Sequence, residues 1–178
     1  NNHSEIKGLL SENVLKKIDA HNSGNSVIKE LYSEIMNSSE EDLTKCISAI
    51  YSRLNQKDKL TQDENQFLLQ YKNYGNDVGL ISILLFSFVN LNSGEAIFTP
   101  AGIPHAYISC NIVECFANSY NVVRAGLTPK FQDVRTLIDM LEVDLRGLLD
   151  CIYTVNNALL LTFPERTLLG GKELDDDS

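Results

Sequence analysis

The sequence predicts an α+β protein in which a helical region is followed by an antiparallel β region. From residue 1 to about residue 74, apolar residues recur at the three- and four-residue spacing of amphipathic helices. At Asn73–Asn76 the pattern changes to short runs of β-branched and aromatic residues, which Gly, Pro and Asn residues divide. The length of 178 residues and the hydrophobic content of 43% suit one domain with an appended part.

The helical region contains four polar residues in N-cap positions, each directly before a helical pattern: Ser11, Ser26, Ser39 and Thr61. Thr61 and Glu64 also fit a capping box, in which each side chain accepts a hydrogen bond from the backbone of the other residue. The clearest helix is SEEDLTKCISAIYSRL, residues 39–54, because its apolar side chains share one face. One packed face per helix favours a structural role over a partner-binding bundle.

Five short apolar runs follow, and they predict an antiparallel sandwich or barrel: ILLFSFVNL, EAIFTP, AYIS, IVECFA and NVVRA. Asn92–Gly94 is the expected hairpin turn between the first two runs. A further helix is predicted at DVRTLIDML, residues 133–141. Beyond it the sequence stays apolar before the acidic stretch ELDDDS, which we expect to be solvated.

The charge and the cysteine pattern limit the classes of function. A net charge of −9 argues against general nucleic-acid binding, which needs a basic surface. The longest apolar run, LISILLFSFVNL, is too short to span a bilayer and no secretory leader is recognisable, so we expect no membrane partner. The four cysteines form no Cys-x-x-Cys pair and are expected to be reduced thiols, which predicts a cytoplasmic location.

His105 is the first candidate for chemistry, because it follows Pro104 in a loop before a predicted strand. A catalytic zinc ion needs about three protein ligands, and no second ligand lies near His105 in the sequence. His3 and His21 are expected at the surface of the helical region. From the residues alone, His105 is either a metal ligand or an imidazole with a local hydrogen-bonding role.

Three more polar residues interrupt or border the apolar runs. Strand alternation places Glu114 either inside a barrel or in water. Arg124, which stands among Val and Ala, indicates a buried partner or an anion site. Lys130 is either a second cation at the same anion site as Arg124 or an ordinary loop lysine.

These residues lie in a longer pattern with a definite order. The chain contains, in sequence, His105-Ala-Tyr-Ile108, Val113-Glu-Cys-Phe-Ala117, Ser119-Tyr-Asn121 and Arg124-Ala-Gly-Leu-Thr-Pro-Lys130. This pattern resembles, without gaps, the signature region of the type I mannose-6-phosphate isomerases (phosphomannose isomerases). The resemblance covers about residues 76–141, and the helices before it fit the helical domain inserted in that family.

The resemblance implies a helical domain at residues 1–75, part of a cupin (jelly-roll) domain at residues 76–141, and a divergent segment at residues 142–178. It implies an aldose–ketose isomerase with a phosphorylated hexose as its substrate. The family interconverts mannose 6-phosphate and fructose 6-phosphate, a reaction of mannose and GDP-mannose metabolism.

The resemblance also implies roles for five residues of the pattern. The family holds one zinc ion with a Gln, two His and a Glu, and His105 corresponds to one of these histidines. Arg124 and Glu114 correspond to catalytic positions, with Glu114 as the candidate base. Lys130 and Tyr107 correspond to substrate-binding positions.

The chain also departs from the family pattern. Cys110 replaces a Gly, Phe116 replaces a Met, and Tyr120 replaces an Asp whose charge is thereby lost. The motifs that carry the other three zinc ligands do not occur in this sequence. We therefore expect an incomplete fragment with little activity alone; the alternative is a non-catalytic cupin relic that binds sugar phosphate or a protein partner. The family is usually monomeric, whereas an unpaired sheet edge favours self-association of a fragment.

Overall fold

The architecture is mainly helical. The computed structural model describes residues 3–20, 25–109, 111–115, 122–142 and 152–154. Within these ranges a 3₁₀ helix, Ser4–Leu9, is followed by the elements α1 (Glu12–Asp19), α2 (Asn25–Met36), α3 (Glu40–Leu54), α4 (Gln62–Tyr74), α5 (Gly79–Leu85), β1 (Glu95–Ile97), α6 (Val134–Met140) and β2 (Ile152–Thr154). None of the described helices has the length and apolarity that a membrane crossing requires.

Three of the four predicted N-caps are confirmed. The Ser11 hydroxyl accepts a hydrogen bond from the Val14 N–H over 3.4 Å, and the Ser39 hydroxyl accepts one from the Asp42 N–H over 3.1 Å. At Thr61 the capping box is present, with the Glu64 carboxylate 2.9 Å from the Thr61 backbone nitrogen. The prediction for Ser26 is wrong, because α2 begins at Asn25. The Ser26 hydroxyl donates to the carboxylate of Glu30, one turn later in the same helix.

The main hydrophobic core lies among the 3₁₀ helix and helices α2 to α5. Its buried members are Ile6, Ile35, Cys46, Ile47, Ile50, Leu54, Phe67, Leu80, Ile81, Ile83 and Leu84. The four from α3 are the apolar stripe that the sequence predicts, so this face is confirmed. Each fully buried Ile or Phe contributes about 1.5–3 kcal/mol, which makes helix packing the main source of stability here.

A second hydrophobic cluster joins α2 to α6. Tyr32 and Met36 of α2 are buried with Leu137 and Leu141, and the partly buried residues Val78, Phe86, Val123, Ala125, Val134 and Ile138 pack against them. The Tyr32 hydroxyl lies 2.9 Å from the Ser82 hydroxyl of α5. The helix predicted at residues 133–141 is confirmed by α6, whose N-cap Asp133 accepts a hydrogen bond from the Thr136 N–H.

An ionic cluster lies beside the main core. Its members are Glu5 of the 3₁₀ helix, Arg53 of α3, Lys57 between α3 and α4, and Glu64 of α4. Arg53 Nε donates to Glu5 Oε1 over 2.5 Å, and Arg53 Nη2 lies 2.9 Å from His3 Nδ1. Burial lowers the pKa of His3, and the charge of Arg53 lowers it further. His3 therefore takes part in the packing of this region, which corrects its expected surface position, while His21 lies outside the described residues.

Glu64 is the buried carboxylate of the ionic cluster. Lys57 Nζ lies 2.8 Å from Oε1 and 2.6 Å from Oε2 of Glu64, and Arg53 Nη1 lies 3.7 Å from Oε1. Burial acts to raise the pKa of this carboxyl group, but the hydrogen bonds from Lys57 and from Thr61 outweigh it and lower the pKa to about 2. Glu64 is therefore ionised throughout the physiological pH range.

The run ILLFSFVNL begins as a helix, which corrects the predicted strand at residues 83–85. α5 ends at Leu85, and its residues 79–84 are all buried. An apolar run without a repeating polar position does not distinguish a buried strand from a buried helix. Asp77 favours the helix, because its carboxylate accepts a hydrogen bond from the Gly79 N–H over 2.7 Å.

Strand pairing in the described ranges is limited to β1 and β2. They run antiparallel, with Glu95 opposite Thr154 and Ile97 opposite Ile152. β1 lies in the predicted run EAIFTP, whereas β2 lies in a segment for which the sequence predicts no element. The described parts of AYIS, IVECFA and NVVRA form no strands, so no sandwich or barrel is found there. Alternation alone does not make a strand, since a strand exists only through pairing with another.

The described residues fall into two units. One contains residues 3–88 and 100–142, with the helices and both hydrophobic clusters. The other contains residues 89–99 and 152–154, with the two paired strands. All five residues singled out by the sequence pattern, His105, Tyr107, Glu114, Arg124 and Lys130, belong to the first unit.

Two cysteines lie in the described ranges, and both are free thiols. Burial raises the pKa of Cys46 to about 11, so this thiol stays protonated near neutral pH. Cys115 is exposed. The reduced state that the sequence predicts holds for these two, while Cys110 and Cys151 lie outside the described residues.

Candidate functional site

His105 lies at the start of an exposed segment, residues 105–109, that follows Pro104. Its Nδ1 is 2.9 Å from the carbonyl oxygen of Ile103, two residues earlier. A carbonyl oxygen can only accept, so Nδ1 is the donor in this contact, and in the neutral imidazole the lone pair is then on Nε2. A backbone carbonyl that holds one imidazole nitrogen in this way is the usual support of a histidine that ligates a metal with the other.

Tyr107 connects His105 to Glu114. The rings of His105 and Tyr107 meet edge to face with their centres 5.8 Å apart. The Tyr107 hydroxyl donates to Glu114 Oε1 over 2.8 Å. Three of the residues that the sequence pattern singles out are therefore linked by direct contacts. All three side chains are exposed, and the carboxylate keeps acceptor sites beyond the one that Tyr107 uses.

Metal binding needs several ligands around one point. In the part of the chain that the structure describes, no group of three or more His, Cys, Asp or Glu side chains is arranged to hold a metal ion. His105 contacts the Ile103 carbonyl through one ring nitrogen, and one imidazole does not make a zinc site. The described residues therefore do not fit a complete zinc centre.

Arg124 and Lys130 lie at the two ends of a loop, residues 124–130, that leads into α6. Arg124 is half-buried, and its neighbours Val123 and Ala125 pack into the second hydrophobic cluster. Lys130 is exposed, and its backbone N–H donates to the Thr128 hydroxyl over 3.2 Å. The backbone on either side of Arg124 is thus anchored by burial, whereas the Lys130 side chain extends into solvent.

Asp77, which no sequence pattern singled out, holds this loop to α5. Its Oδ1 accepts a hydrogen bond from the Gly79 N–H over 2.7 Å and a second from the Leu127 N–H over 2.8 Å. A local signal existed, since an Asp directly before an apolar run is a common helix start. The second bond spans 50 residues of sequence and carries no local signal.

Three departures from the family pattern, Cys110, Phe116 and Tyr120, lie outside the described residues. The structure thus places the two halves of the sequence pattern on one unit. His105, Tyr107 and Glu114 are connected by side-chain contacts, while Arg124 and Lys130 are held through the backbone of their loop.

The chain is similar to known phosphomannose isomerases. Residues 4–86 match the family model described as the helical insertion domain of type I phosphomannose isomerase. Mannose-6-phosphate isomerase 2 of Arabidopsis thaliana is 43% identical over 123 residues, which cover 67% of this chain and 28% of that protein. Mannose-6-phosphate isomerase of Rattus norvegicus is 36% identical over 148 residues, which cover 78% of this chain and 35% of that protein.

A solved structure gives the same result. The crystal structure of apo mannose 6-phosphate isomerase from Salmonella typhimurium superposes with a TM-score of 0.60 and 27% identity. The superposition covers 81% of this chain and 38% of that one. The chain is a relative of the type I phosphomannose isomerases.

The phosphomannose isomerase similarity is not confined to the helices. Residues 4–86 make up less than half of the chain, whereas the rat relative aligns with 78% of it. The alignment therefore continues into the region that contains the sequence pattern. The chain spans about a third of the length of the curated relatives, with 28% and 35% of the two proteins covered.

Proposed function

We propose that this chain forms the helical part and the adjoining signature segment of a mannose-6-phosphate isomerase, which interconverts mannose 6-phosphate and fructose 6-phosphate. The proposal is carried by the similarity to relatives named mannose-6-phosphate isomerase, which extends well beyond the helical insertion domain. The geometry is consistent with it, because the unit that contains the helices also contains all five proposed site residues.

The proposed roles follow from the chemistry of aldose–ketose exchange. The reaction moves a proton between neighbouring carbons through an enediol and therefore needs a base. Glu114 is the proposed base, and the hydrogen bond from Tyr107 orients its carboxylate. Arg124 and Lys130 supply positive charge for the phosphate or for the oxyanion that develops during the reaction. Tyr107 is also proposed to contact the substrate.

We propose His105 as a ligand of the zinc ion that the family uses. The Ile103 carbonyl supports this role by leaving the Nε2 lone pair for the metal. The remaining ligands would have to come from outside the described residues, so no step of the reaction is assigned to zinc. The cupin assignment of residues 76–141, the boundaries at 1–75 and 142–178, the link to GDP-mannose metabolism and the cytoplasmic location stay predictions.

A second candidate function is a non-catalytic cupin relic that binds sugar phosphate or a protein partner. Two observations favour it: the described residues contain no group of side chains that could hold a metal ion, and Tyr120 stands in the place of an Asp. The isomerase and the sugar-phosphate-binding form of the relic both predict binding through Arg124 and Lys130, whereas a relic that binds a protein partner does not. They differ in turnover, which only the isomerase predicts once its missing ligands are supplied.

Calorimetric titration of the purified chain with mannose 6-phosphate tests the shared part of both proposals. Unphosphorylated mannose serves as the control ligand, and we expect it to bind much more weakly. Arg124→Met should weaken mannose 6-phosphate binding by about tenfold or more, since a hydrogen bond to a charged group contributes about 1.5–3 kcal/mol. Arg135→Met, which removes an exposed cation on α6, should change binding by less than about twofold.

Two outcomes would contradict the binding proposal. Equal affinity for mannose and mannose 6-phosphate would exclude recognition of the phosphate. An unchanged affinity in Arg124→Met would exclude the proposed role of that side chain.

A further inference from the structure

The loop that contains Arg124 is fastened to the start of α5 by one carboxylate oxygen. Asp77 Oδ1 lies 2.7 Å from the backbone nitrogen of Gly79 and 2.8 Å from that of Leu127. Hydrogen bonds from an N–H to a charged carboxylate are about twice as strong as neutral ones. Asp77 therefore closes the helix start and holds the loop with the same atom.

Two glycines allow the loop to approach α5 this closely. A Cβ atom added to Gly126 would lie 2.6 Å from Gly79 Cα and 2.7 Å from Gly79 N. A Cβ atom added to Gly79 would lie 2.9 Å from the backbone nitrogen of Leu127. None of these three distances is sterically possible without movement of the backbone. The two segments therefore pack directly against each other at this point.

The backbone after Arg124 also has an unusual conformation. Gly126 has a φ of 140°, and Leu127, which is not a glycine, has a φ of 51°. A non-glycine residue in this region is strained and persists only where surrounding contacts enforce it. The hydrogen bond from the Leu127 N–H to Asp77 is such a contact.

We propose that Asp77 is a positioning residue for the Arg124–Lys130 loop. Its carboxylate fixes the Leu127 amide and thereby fixes the positions of the Arg124 and Lys130 side chains relative to a bound hexose phosphate. The loop-holding part rests on the observed hydrogen bonds alone. The effect on ligand binding rests on the proposed function.

A structural and a purely electrostatic role of Asp77 predict opposite effects on anion binding. The carboxylate is negative, so its removal should strengthen binding of an anionic sugar phosphate if charge were its only contribution. If the carboxylate holds the loop, Asp77→Ala should weaken binding, because the cations lose their fixed places. Asp77→Asn keeps an oxygen that can accept both N–H bonds and should preserve most of the affinity.

Amide hydrogen exchange at Leu127, followed by NMR on the purified chain, tests whether Asp77 holds the loop. We expect exchange at least about tenfold faster in Asp77→Ala and near the unsubstituted rate in Asp77→Asn. Asp133→Ala is the matched control, since it removes a carboxylate that caps α6 and bonds to Thr136 rather than to the loop amide. Unchanged Leu127 exchange in Asp77→Ala would overturn the proposal.

Calorimetric titration of the same variants with mannose 6-phosphate tests the consequence for binding. We expect about tenfold weaker binding for Asp77→Ala and less than about threefold for Asp77→Asn. Gly126→Ala disturbs the same contact while keeping the Asp77 charge, and it should weaken binding in the same direction. If Asp77→Ala does not fold, Asp77→Ser takes its place in both measurements, with the same expected and contradicting results.

The outcomes separate the two proposals. Unweakened binding in Asp77→Ala or Gly126→Ala, with faster Leu127 exchange, would refute the positioning role and leave the proposed function intact. No binding of mannose 6-phosphate by the unsubstituted chain would overturn the proposed function, and the exchange rates would still decide whether Asp77 holds the loop.

Discussion

Replacement of Glu64 by Gln removes the buried charge of the ionic cluster while keeping the shape of the side chain. Glu64 is 4% exposed and accepts hydrogen bonds from Lys57 and from the Thr61 backbone. A glutamine still provides an oxygen for the Thr61 N–H, and it is accepted at this position of a capping box. The substitution therefore isolates the charge from the helix cap.

The size of the effect follows from the lowered pKa of Glu64. A shift from 4.5 to about 2 corresponds to about 3 kcal/mol, at 1.36 kcal/mol for each pKa unit. The main partner, Lys57, is 40% exposed, so water screens part of this interaction. We therefore expect Glu64→Gln to lower the free energy of unfolding by about 1–2 kcal/mol at pH 7.

The pH dependence gives the sign of the effect. Because the folded-state pKa is lower than the unfolded-state value, protonation of Glu64 favours the unfolded chain. The stabilisation is fully present above pH 4.5 and is lost as the pH falls towards about 2. The difference between the unsubstituted chain and Glu64→Gln should therefore shrink across this window.

Urea unfolding followed by circular dichroism at 222 nm, at pH 7 and at about pH 3, inside the window in which the stabilisation is lost, measures this difference. Glu41→Gln is the control, because Glu41 pairs with Lys45 on the exposed face of α3 and should change stability by less than about 0.5 kcal/mol. A Glu64→Gln effect that is the same at both pH values would refute the electrostatic explanation. An effect no larger than that of Glu41→Gln at pH 7 would refute the importance of the buried charge.

Three further predictions concern the core, a helix cap and activity. Ile50→Ala removes a fully buried side chain and should lower the free energy of unfolding by about 2–5 kcal/mol, against less than about 1 kcal/mol for the partly exposed Ile18→Ala. Ser39→Ala removes the cap of α3 and should cost about 1 kcal/mol, measured by urea unfolding; an unchanged midpoint would contradict its role. The chain alone should show no isomerase turnover above background in a coupled assay with added zinc, and turnover that survives removal of contaminating enzyme would contradict this.

The helices could be predicted because their signals are local. The Ser39 hydroxyl and the Glu64 carboxylate each bond to a backbone N–H three residues away, so both ends of these contacts are visible in one short stretch. The apolar stripe of α3 is likewise set by the period of a single helix. Such features require no knowledge of what the helix packs against.

The β region was predicted less well because its structure depends on partners distant in sequence. β1 exists through pairing with β2, which places Glu95 opposite Thr154. The run ILLFSFVNL, whose first three residues end α5, has the composition of a strand, and burial on all sides removes the periodicity that would reveal a helix. In both cases the deciding contacts are not encoded near the residues concerned.

The sequence by itself determined three helical caps, the apolar face of α3 and the family resemblance, because these depend on residue types at short, regular spacings. It singled out His105, Tyr107, Glu114, Arg124 and Lys130, but it did not say what holds them. Only the tertiary structure joined Tyr107 to Glu114 and brought Asp77 to the backbone of Leu127. The second contact spans 50 residues and needs two facing glycines. The physical reason is that a hydrogen bond between distant segments forms only after the helices have packed and brought them together.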